Sequence, residues 1–189
     1  MISSHVNSLF NSVSYRIGDI LIDPGDEWEG FYNVSAILLT HAHFDHIYGL
    51  SRVIELNPEA KVYTNEFGKK MLLDPKLNMS KYHESPFIFN YPENLILIPD
   101  SPDSSTPLFN VHCSMFAKRP LRFFSSPGHN PSCISYIIGD SVFTGDAYIP
   151  GLKTVTNLPD GNEELAQQSI KEILKLSEGK AIFPGHKIL

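Results

Sequence analysis

The stretch THAHFDHIYG, residues 40–49, carries ligand-type side chains in the pattern His41-x-His43-x-Asp45-His46. A solvated polar loop or a set of packed histidines would be the plainer interpretation. Four potential metal ligands within six residues favour a metal site instead. His41 and His43 can converge on one ion from a tight loop, whereas His46 follows Asp45 directly and points elsewhere. The stretch therefore predicts a metal site and suits His46 to a second ion.

Three later segments repeat one arrangement, in which a short apolar strand runs into a glycine and then a ligand-type residue. They are SSPGHNPSC (125–133), VFTGD (142–146) and IFPGH (182–186), which supply His129, Asp146 and His186. Glycine gives the backbone freedom to turn the donor inward. The opening cluster likewise begins where the apolar run AILLT (36–40) ends. We therefore expect seven donors at strand ends, held by a rigid scaffold.

The donor chemistry limits the choice of metal. Nitrogen and carboxylate donors without thiolate fit zinc, with iron(II) or manganese as competitors. Seven donors are too many for one tetrahedral zinc but suffice for two ions that share a bridging carboxylate and leave a position open for water. Two close metals generate hydroxide near neutral pH and polarise a carbonyl or phosphoryl oxygen. The inferred reaction is metal-assisted hydrolysis.

Strand-like and helical segments alternate along both halves of the chain, which predicts two sheets packed together with helices outside. Ser12–Gly25 contains two short strands around a turn at Gly18-Asp19. Helices are expected in HIYGLSRVIELN and EFGKKMLLD, and from an N-cap at Asn162 to about Gly179. The apolar stripe of that last helix is expected at Leu165, Ser169, Ile173, Leu174 and Leu176. The remaining strands are expected in KVYTN, NLILIPD, LFNVHCSMF, LRFFSS, SCISYIIGD, SVFTGD and AIFPGH.

Length and composition indicate one ordinary domain over residues 1–189, with 42% hydrophobic and 19% charged residues. The net charge of −6 without a basic block argues against nucleic acid or an acidic membrane as the main partner. We expect a small-molecule substrate and leave the oligomeric state open. The N-terminus lacks signal-peptide features and no apolar run is long enough to span a membrane, so a cytoplasmic location is expected.

The other cysteines and histidines lack a ligand context. Cys113 and Cys133 are isolated and are expected to be small buried residues. His5, His83 and His112 are interpreted as ordinary surface or packing histidines.

Five motifs together carry a family resemblance. ILIDPG, THAHFDH, PGHNPSCISY, FTGD and FPGH follow one another along nearly the whole chain, and in this order they resemble the metallo-β-lactamase superfamily. The resemblance implies an α+β class and a four-layer αβ/βα sandwich with the metals at one edge. It also implies that Asp23 of ILIDPG forms hydrogen bonds to the ligands from behind. The alternative is that Asp23 is only a turn-forming aspartate before Pro-Gly.

The resemblance also divides the donors between two zinc ions and makes the carboxylates of Asp45 and Asp146 part of the catalytic centre. The implied sets are His41, His43 and His129 for the first ion, Asp45, His46 and His186 for the second, and Asp146 as the bridge.

Within the superfamily, DPKLNMS (74–80) and FTGD look similar to small bacterial glyoxalase-II-like hydrolases. A carboxylate bridge where many secreted β-lactamases carry cysteine argues against antibiotic hydrolysis. We expect a dinuclear zinc hydrolase that cleaves an ester, thioester or similar acyl bond, with glutathione thioesters in question because the sequence ends soon after His186. The alternatives are a mononuclear iron persulfide dioxygenase, with iron held by His41, His129 and Asp146, and a phosphodiesterase acting on a small nucleotide.

Substrate contacts are the least specific prediction. The segment DAYIPGLKTVTNLPDGN (146–162) leaves the expected bridging aspartate and should run over the active-site edge. Candidate contacts in this segment and beside two of the ligands are Tyr148, Lys153, Asn157, Asn130 and Lys187, although each of these is more often a plain loop residue.

Overall fold

A computed structural model describes residues 1–99 and 121–187 of the chain. Its strands are β1 Ile2–Val6, β2 Val13–Ile17, β3 Ile20–Ile22, β4 Ala36–Leu38, β5 Lys61–Thr64, β6 Leu95–Leu97, β7 Leu121–Ser125, β8 Ile134–Ile138, β9 Ser141–Gly145 and β10 Ala181–Pro184. Its α-helices are α1 Phe44–Ile47, α2 Leu50–Leu56, α3 Glu66–Leu73 and α4 Glu163–Leu176.

The described strands form two mixed sheets. Six strands lie in the order β1-β2-β3-β4-β5-β6, antiparallel as far as β3 and parallel from β3 to β6. Four lie in the order β10-β9-β8-β7, in which only β10 and β9 are parallel. The predicted fold class, two mixed sheets with helices outside, is confirmed.

Alternation along the strands explains why the sheets pack into layers. Ile20 and Ile22 of β3 face the second sheet, in one cluster with Phe123 and Tyr136. Leu21 between them faces the opposite side and packs in the cluster that contains residues of α2 and α3. Because successive side chains of a strand point to opposite faces, a fully apolar strand is buried on both sides.

Helix α4 covers the outer face of the second sheet and begins at its predicted cap. The Asn162 side chain accepts a hydrogen bond from the Leu165 amide at 3.0 Å. The predicted apolar stripe is wrong at two positions, because Leu165 and Leu174 are 39% and 48% exposed. The face that packs on the sheet instead follows Ala166, Ser169 and Ile173.

The other sequence predictions have mixed outcomes. Strand β1 was not predicted, because its short polar sequence ISSHV is typical of an exposed edge. Cys133 is buried, as expected. The strand predicted in LFNVHCSMF, together with His112 and Cys113, lies outside the described residues. Among residues 1–99 and 121–187, no helix is long and apolar enough to cross a membrane.

Candidate metal centre

All predicted donors lie directly after strands, at one edge of the two sheets. The loop of residues 39–43 follows β4 and carries His41 and His43, and the short helix α1 after it carries Asp45 and His46. His129 follows β7, Asp146 follows β9 and His186 follows β10. The hydrogen-bonded sheets hold the strand ends rigidly, and the strand ends in turn fix where the donor-bearing segments begin.

The first group of donors is His41, His43 and His129, whose nearest ligand atoms all lie within 4.8 Å of one another. His129 Nε2 lies 2.9 Å from His43 Nδ1. The opposite nitrogen of His129, Nδ1, lies 2.8 Å from the carbonyl of Val155 and donates its proton there. That hydrogen bond assigns the lone pair of the neutral His129 ring to Nε2, which faces the site.

The second group is Asp45, His46 and His186, again within 4.8 Å. His46 Nδ1 lies 3.2 Å from Asp23 Oδ2, and His186 Nδ1 lies 2.9 Å from the carbonyl of Phe10. Both Nδ1 atoms therefore donate, and when the rings are neutral both Nε2 lone pairs point inward. The two Nε2 atoms lie 3.2 Å apart, and Asp45 Oδ2 lies 3.4 Å from that of His186.

Asp146 lies between the two groups. One carboxylate oxygen, Oδ2, is 3.2 Å from His186 Nε2 and 3.7 Å from His129 Nε2. The other, Oδ1, is 3.5 Å from His46 Nε2. The carboxylate thus reaches a donor of each group, which is the arrangement that a bridging ligand requires.

Buried atoms without partners indicate that these residues fit divalent metal ions. Within the described residues, His41 Nε2 and Asp146 Oδ1 are buried and make no hydrogen bond. An unpaired buried polar atom costs roughly 1–3 kcal/mol, so such atoms need an explanation. The two imidazole Nε2 atoms that face each other at 3.2 Å also need either a cation between them or a proton on one ring. Metal coordination removes both costs, and the nitrogen and carboxylate donors suit zinc, iron or manganese.

Asp23 lies directly behind one ligand ring. Its carboxylate accepts hydrogen bonds from the Thr40 amide at 2.7 Å and the Thr40 hydroxyl at 2.5 Å, in addition to His46 Nδ1. The residue has a left-handed backbone, with φ of 51°, which aims the carboxylate at the start of the ligand loop. A carboxylate on the far nitrogen of a ligand histidine fixes the ring and increases its basicity.

The ionisable groups perturb one another strongly when no ion is bound. Burial and the neighbouring imidazole of His129 lower the pKa of His43 to about 3. Burial disfavours charge on His46 too, but the carboxylates of Asp45 and Asp146 raise its pKa to about 10. An incoming metal ion must therefore displace a proton from His46 at neutral pH.

Gly185 is required by the close approach of the backbone to the ligands. A Cβ atom at this position would lie 2.2 Å from Asp146 Oδ1 and 3.0 Å from His46 Cε1. The first distance is too short for any side chain, and the second is tighter than an ordinary van der Waals contact. The glycine before His186 is thus needed for space, which is a more specific reason than the backbone freedom suggested by the sequence.

A pocket of about 440 Å³ opens onto the donors. His43, Asp45, His129, Asp146 and His186 form its inner surface. The rest of the lining, called here the apolar wall, was not predicted from the sequence. It consists of Phe10, Phe44, Met79, Tyr82, His83, Val155 and Leu158.

His83 is the wall residue that the sequence interpretation treated differently. It packs against Phe44, with ring centroids 4.7 Å apart, and it also lines the pocket. His5, by contrast, stacks on Trp28 at 5.5 Å, as expected of a packing histidine. One signal in the sequence pointed to His83: it lies in an irregular segment, and binding residues lie disproportionately on loops.

The five predicted substrate contacts lie outside this lining. Asn130 is buried and accepts hydrogen bonds from Ser132, and Tyr148 packs against the apolar cluster that joins α4 to the second sheet. Lys153 pairs with Glu163 at 2.8 Å and borders a separate depression together with Asn157. Lys187 borders another depression beyond His186. The loop of residues 146–162 does reach the pocket, but through Val155 and Leu158.

Comparison with known proteins gives concordant matches. The sequence profile of the metallo-beta-lactamase superfamily matches residues 9–186. A probable metallo-hydrolase, YqgX of Bacillus subtilis (strain 168), is 32% identical over 178 residues, which cover 88% of this chain and 79% of that protein. Hydroxyacylglutathione hydrolase GloC of Haemophilus influenzae is 26% identical over 179 residues, covering 88% of this chain and 78% of the relative.

Among solved structures, the BLEG-1 B3 metallo-beta-lactamase superposes with a TM-score of 0.80 at 24% identity. The superposition covers 100% of this chain and 92% of that one. At this identity the likeness shows a common fold.

Proposed function

Since the chain belongs to the metallo-β-lactamase superfamily, we propose that it is a metallo-hydrolase that uses two zinc ions to cleave an ester, thioester or similar acyl bond of a small molecule. The observation that carries the proposal is the convergence of seven donors with the Asp146 carboxylate between the two groups. A single ion would leave several buried donors without a partner.

Two zinc ions held by these seven donors would supply a nucleophilic water near neutral pH and would stabilise negative charge on the acyl oxygen. The protein residues fix the geometry of that chemistry. Asp23 and the carbonyls of Phe10 and Val155 each hold one ligand ring by its outer nitrogen. The ring orientations are thereby set before an ion binds, which reduces the cost of organising the site.

The acyl substrate class is supported by the relatives and by the pocket. One relative is named a hydroxyacylglutathione hydrolase, whose substrates are thioesters. The pocket is lined by donors together with largely apolar side chains. A water-excluding surface next to a polar site suits a substrate that presents a carbonyl to the metals and a carbon skeleton to the wall.

Metal analysis combined with a substrate screen tests the proposal. We expect about two zinc ions per chain and hydrolysis of neutral thioesters or esters by the zinc-loaded protein. Asp146→Asn removes the shared charge, so metal content should fall and kcat/KM should drop at least a hundredfold. Asp140→Asn, on the exposed turn between β8 and β9, is the matched control and should change neither quantity.

Other outcomes would contradict the proposal in distinct ways. One iron per chain with oxygen uptake on a persulfide and no hydrolysis would indicate the dioxygenase alternative. Cleavage of a phosphodiester with no action on any acyl substrate would indicate the phosphodiesterase alternative. Full hydrolytic activity of Asp146→Asn would contradict the proposed bridging role of Asp146.

A further inference from the structure

The apolar wall combines exposure with proximity to the metal centre. Phe10, Tyr82 and Val155 are 69%, 71% and 49% exposed, yet all three line the same pocket as the donors. Exposed aromatic and aliphatic side chains that cluster beside a polar site indicate a ligand-binding surface, whereas single scattered ones need no explanation. The wall is therefore a candidate for binding part of the substrate.

Backbone strain at two wall residues supports the same conclusion. Phe10 and Met79 have φ angles of 53° and 69°, in the left-handed region that bulky residues rarely adopt. Such conformations cost roughly 1–3 kcal/mol and are concentrated at functional sites. Phe10 also presents its carbonyl to His186 Nδ1, so one strained residue both holds a ligand ring and forms the wall.

Met79 is held by hydrogen bonds on both sides. The amide of the buried Asn78 side chain donates to the Phe87 carbonyl at 3.1 Å, and the hydroxyl of Ser80 accepts from the Phe87 amide at 2.8 Å. The Asn78 carbonyl in turn accepts from the Phe44 amide at 2.9 Å, directly beside the ligand loop. The left-handed turn at Met79 is thus locked in place and connected to the metal centre.

The charges around the pocket disfavour an anionic group on the wall. Among the described residues, the lining contains Asp45, Asp146 and histidines but no lysine or arginine. Lys81 lies on the face of the Tyr82 ring, 4.6 Å from its centroid, outside the lining. Lys153 is paired with Glu163. If the substrate were a thioester of a charged thiol such as glutathione, the carboxylates of that thiol would find no lysine or arginine in this lining.

We infer that the substrate is uncharged on both its acyl and its thiol or alcohol side, that its acyl part is apolar, either aliphatic or aromatic, and that Phe10, Met79 and Tyr82 of the wall determine the preference for an apolar acyl part. The inference rests on the proposed acyl-hydrolase function and narrows it. Full burial of one methylene group is worth roughly a fourfold change in binding. A substrate with a medium-length acyl chain should therefore be strongly preferred to its acetyl counterpart.

The test compares thioesters of one neutral thiol, N-acetylcysteamine, with the zinc-loaded protein. We expect kcat/KM for the octanoyl thioester to exceed that for the acetyl thioester at least tenfold. Octanoyl-glutathione, which carries the same acyl chain on an anionic thiol, should be the poorer octanoyl substrate. Equal rates for octanoyl and acetyl, or a preference for the glutathione thioester, would overturn the inference while leaving acyl hydrolysis established.

Variants of the wall assign the preference to its residues. In the double variant Phe10→Ala/Tyr82→Ala, the octanoyl-to-acetyl ratio of kcat/KM should fall at least tenfold. Tyr32→Ala is the matched control, because Tyr32 is also exposed, at 51%, but lies outside the pocket lining; its ratio should not change. An unchanged ratio in the double variant would contradict the assignment.

A binding measurement separates failure of this inference from failure of the proposed function. If no thioester, ester or similar acyl substrate is hydrolysed, the proposed function fails, and ligand-observed NMR with octanoyl and acetyl amides of the same amine decides the inference alone. At least tenfold tighter binding of the octanoyl amide, lost in Phe10→Ala/Tyr82→Ala and kept in Tyr32→Ala, supports the wall. Equal dissociation constants for the two amides would overturn it.

Discussion

His46 and His186 point their Nε2 atoms at each other across 3.2 Å, although 140 positions separate them in the sequence. Each ring donates its Nδ1 proton outward, to Asp23 and to the Phe10 carbonyl respectively. Two neutral rings arranged in this way cannot hydrogen-bond to each other. Their contact is therefore stable only with a cation between them or with a proton bound to one ring.

Removal of metal should lower the stability of the protein. An ion that binds only the folded state at one hundred times its Kd stabilises that state by about 2.7 kcal/mol. We expect thermal unfolding after exhaustive chelation to occur several degrees lower and to recover when zinc is added back. Identical melting temperatures of the chelated and zinc-loaded protein would contradict a metal role for these donors.

Asp23→Asn should weaken metal binding without unfolding the protein. The amide keeps the size of the side chain but removes the negative charge that increases the basicity of His46. Loss of such a partner typically costs 10- to 100-fold in metal affinity. Competition with a chromogenic chelator measures the change. Asp26→Asn, in the same turn but bonded to Ser8, serves as the control, and equal affinities of the two variants would rule out the proposed support.

Gly185→Ala should displace the Asp146 carboxylate. The new methyl group would lie 2.2 Å from Oδ1, and on its other side it meets the Gly145 carbonyl carbon at 2.8 Å, so the backbone must shift. We expect metal content measured by elemental analysis to fall below that of the parent, together with activity. A variant that retains the full metal content and activity would show that the carboxylate position is not required.

Asn162→Ala should affect stability alone. The side chain caps α4, and removal of such a cap costs about 1 kcal/mol. For a chain of this size the loss corresponds to a decrease in melting temperature of roughly 2–4 °C. Asn157→Ala, in the exposed loop before the helix, should cause no comparable decrease. Chemical denaturation measures the stability of both variants. Equal metal content in the two would show that the cap affects the stability of the fold and not metal binding.

Several features could be predicted from the sequence because they depend on neighbouring residues. The apolar run before His41 sets a strand buried on both faces, and Asn162 caps the helix that follows it. The side chains of His129 and Asp146 were recognisable as donors because each follows an apolar strand and a glycine. The face of α4 was less predictable, since Leu165 and Leu174 fit a helical stripe equally well until the sheet determines which side is covered.

The pocket wall was not predictable in the same way. Met79 and His83 come from an irregular segment without periodicity, and no local pattern marks the left-handed backbone of Phe10. Their common surface arises only when distant segments pack together.

The sequence by itself determined which atoms can bind metal, because donor chemistry belongs to each side chain and strand ends are encoded locally. Only the tertiary structure decided how those donors face one another and what lies opposite them. The Phe10 carbonyl reaches His186 across 176 positions, and Val155 reaches His129 across 26. Contacts of this kind join a side chain to the backbone of another segment, and a backbone carbonyl is the same in every residue, so they leave no mark on the sequence.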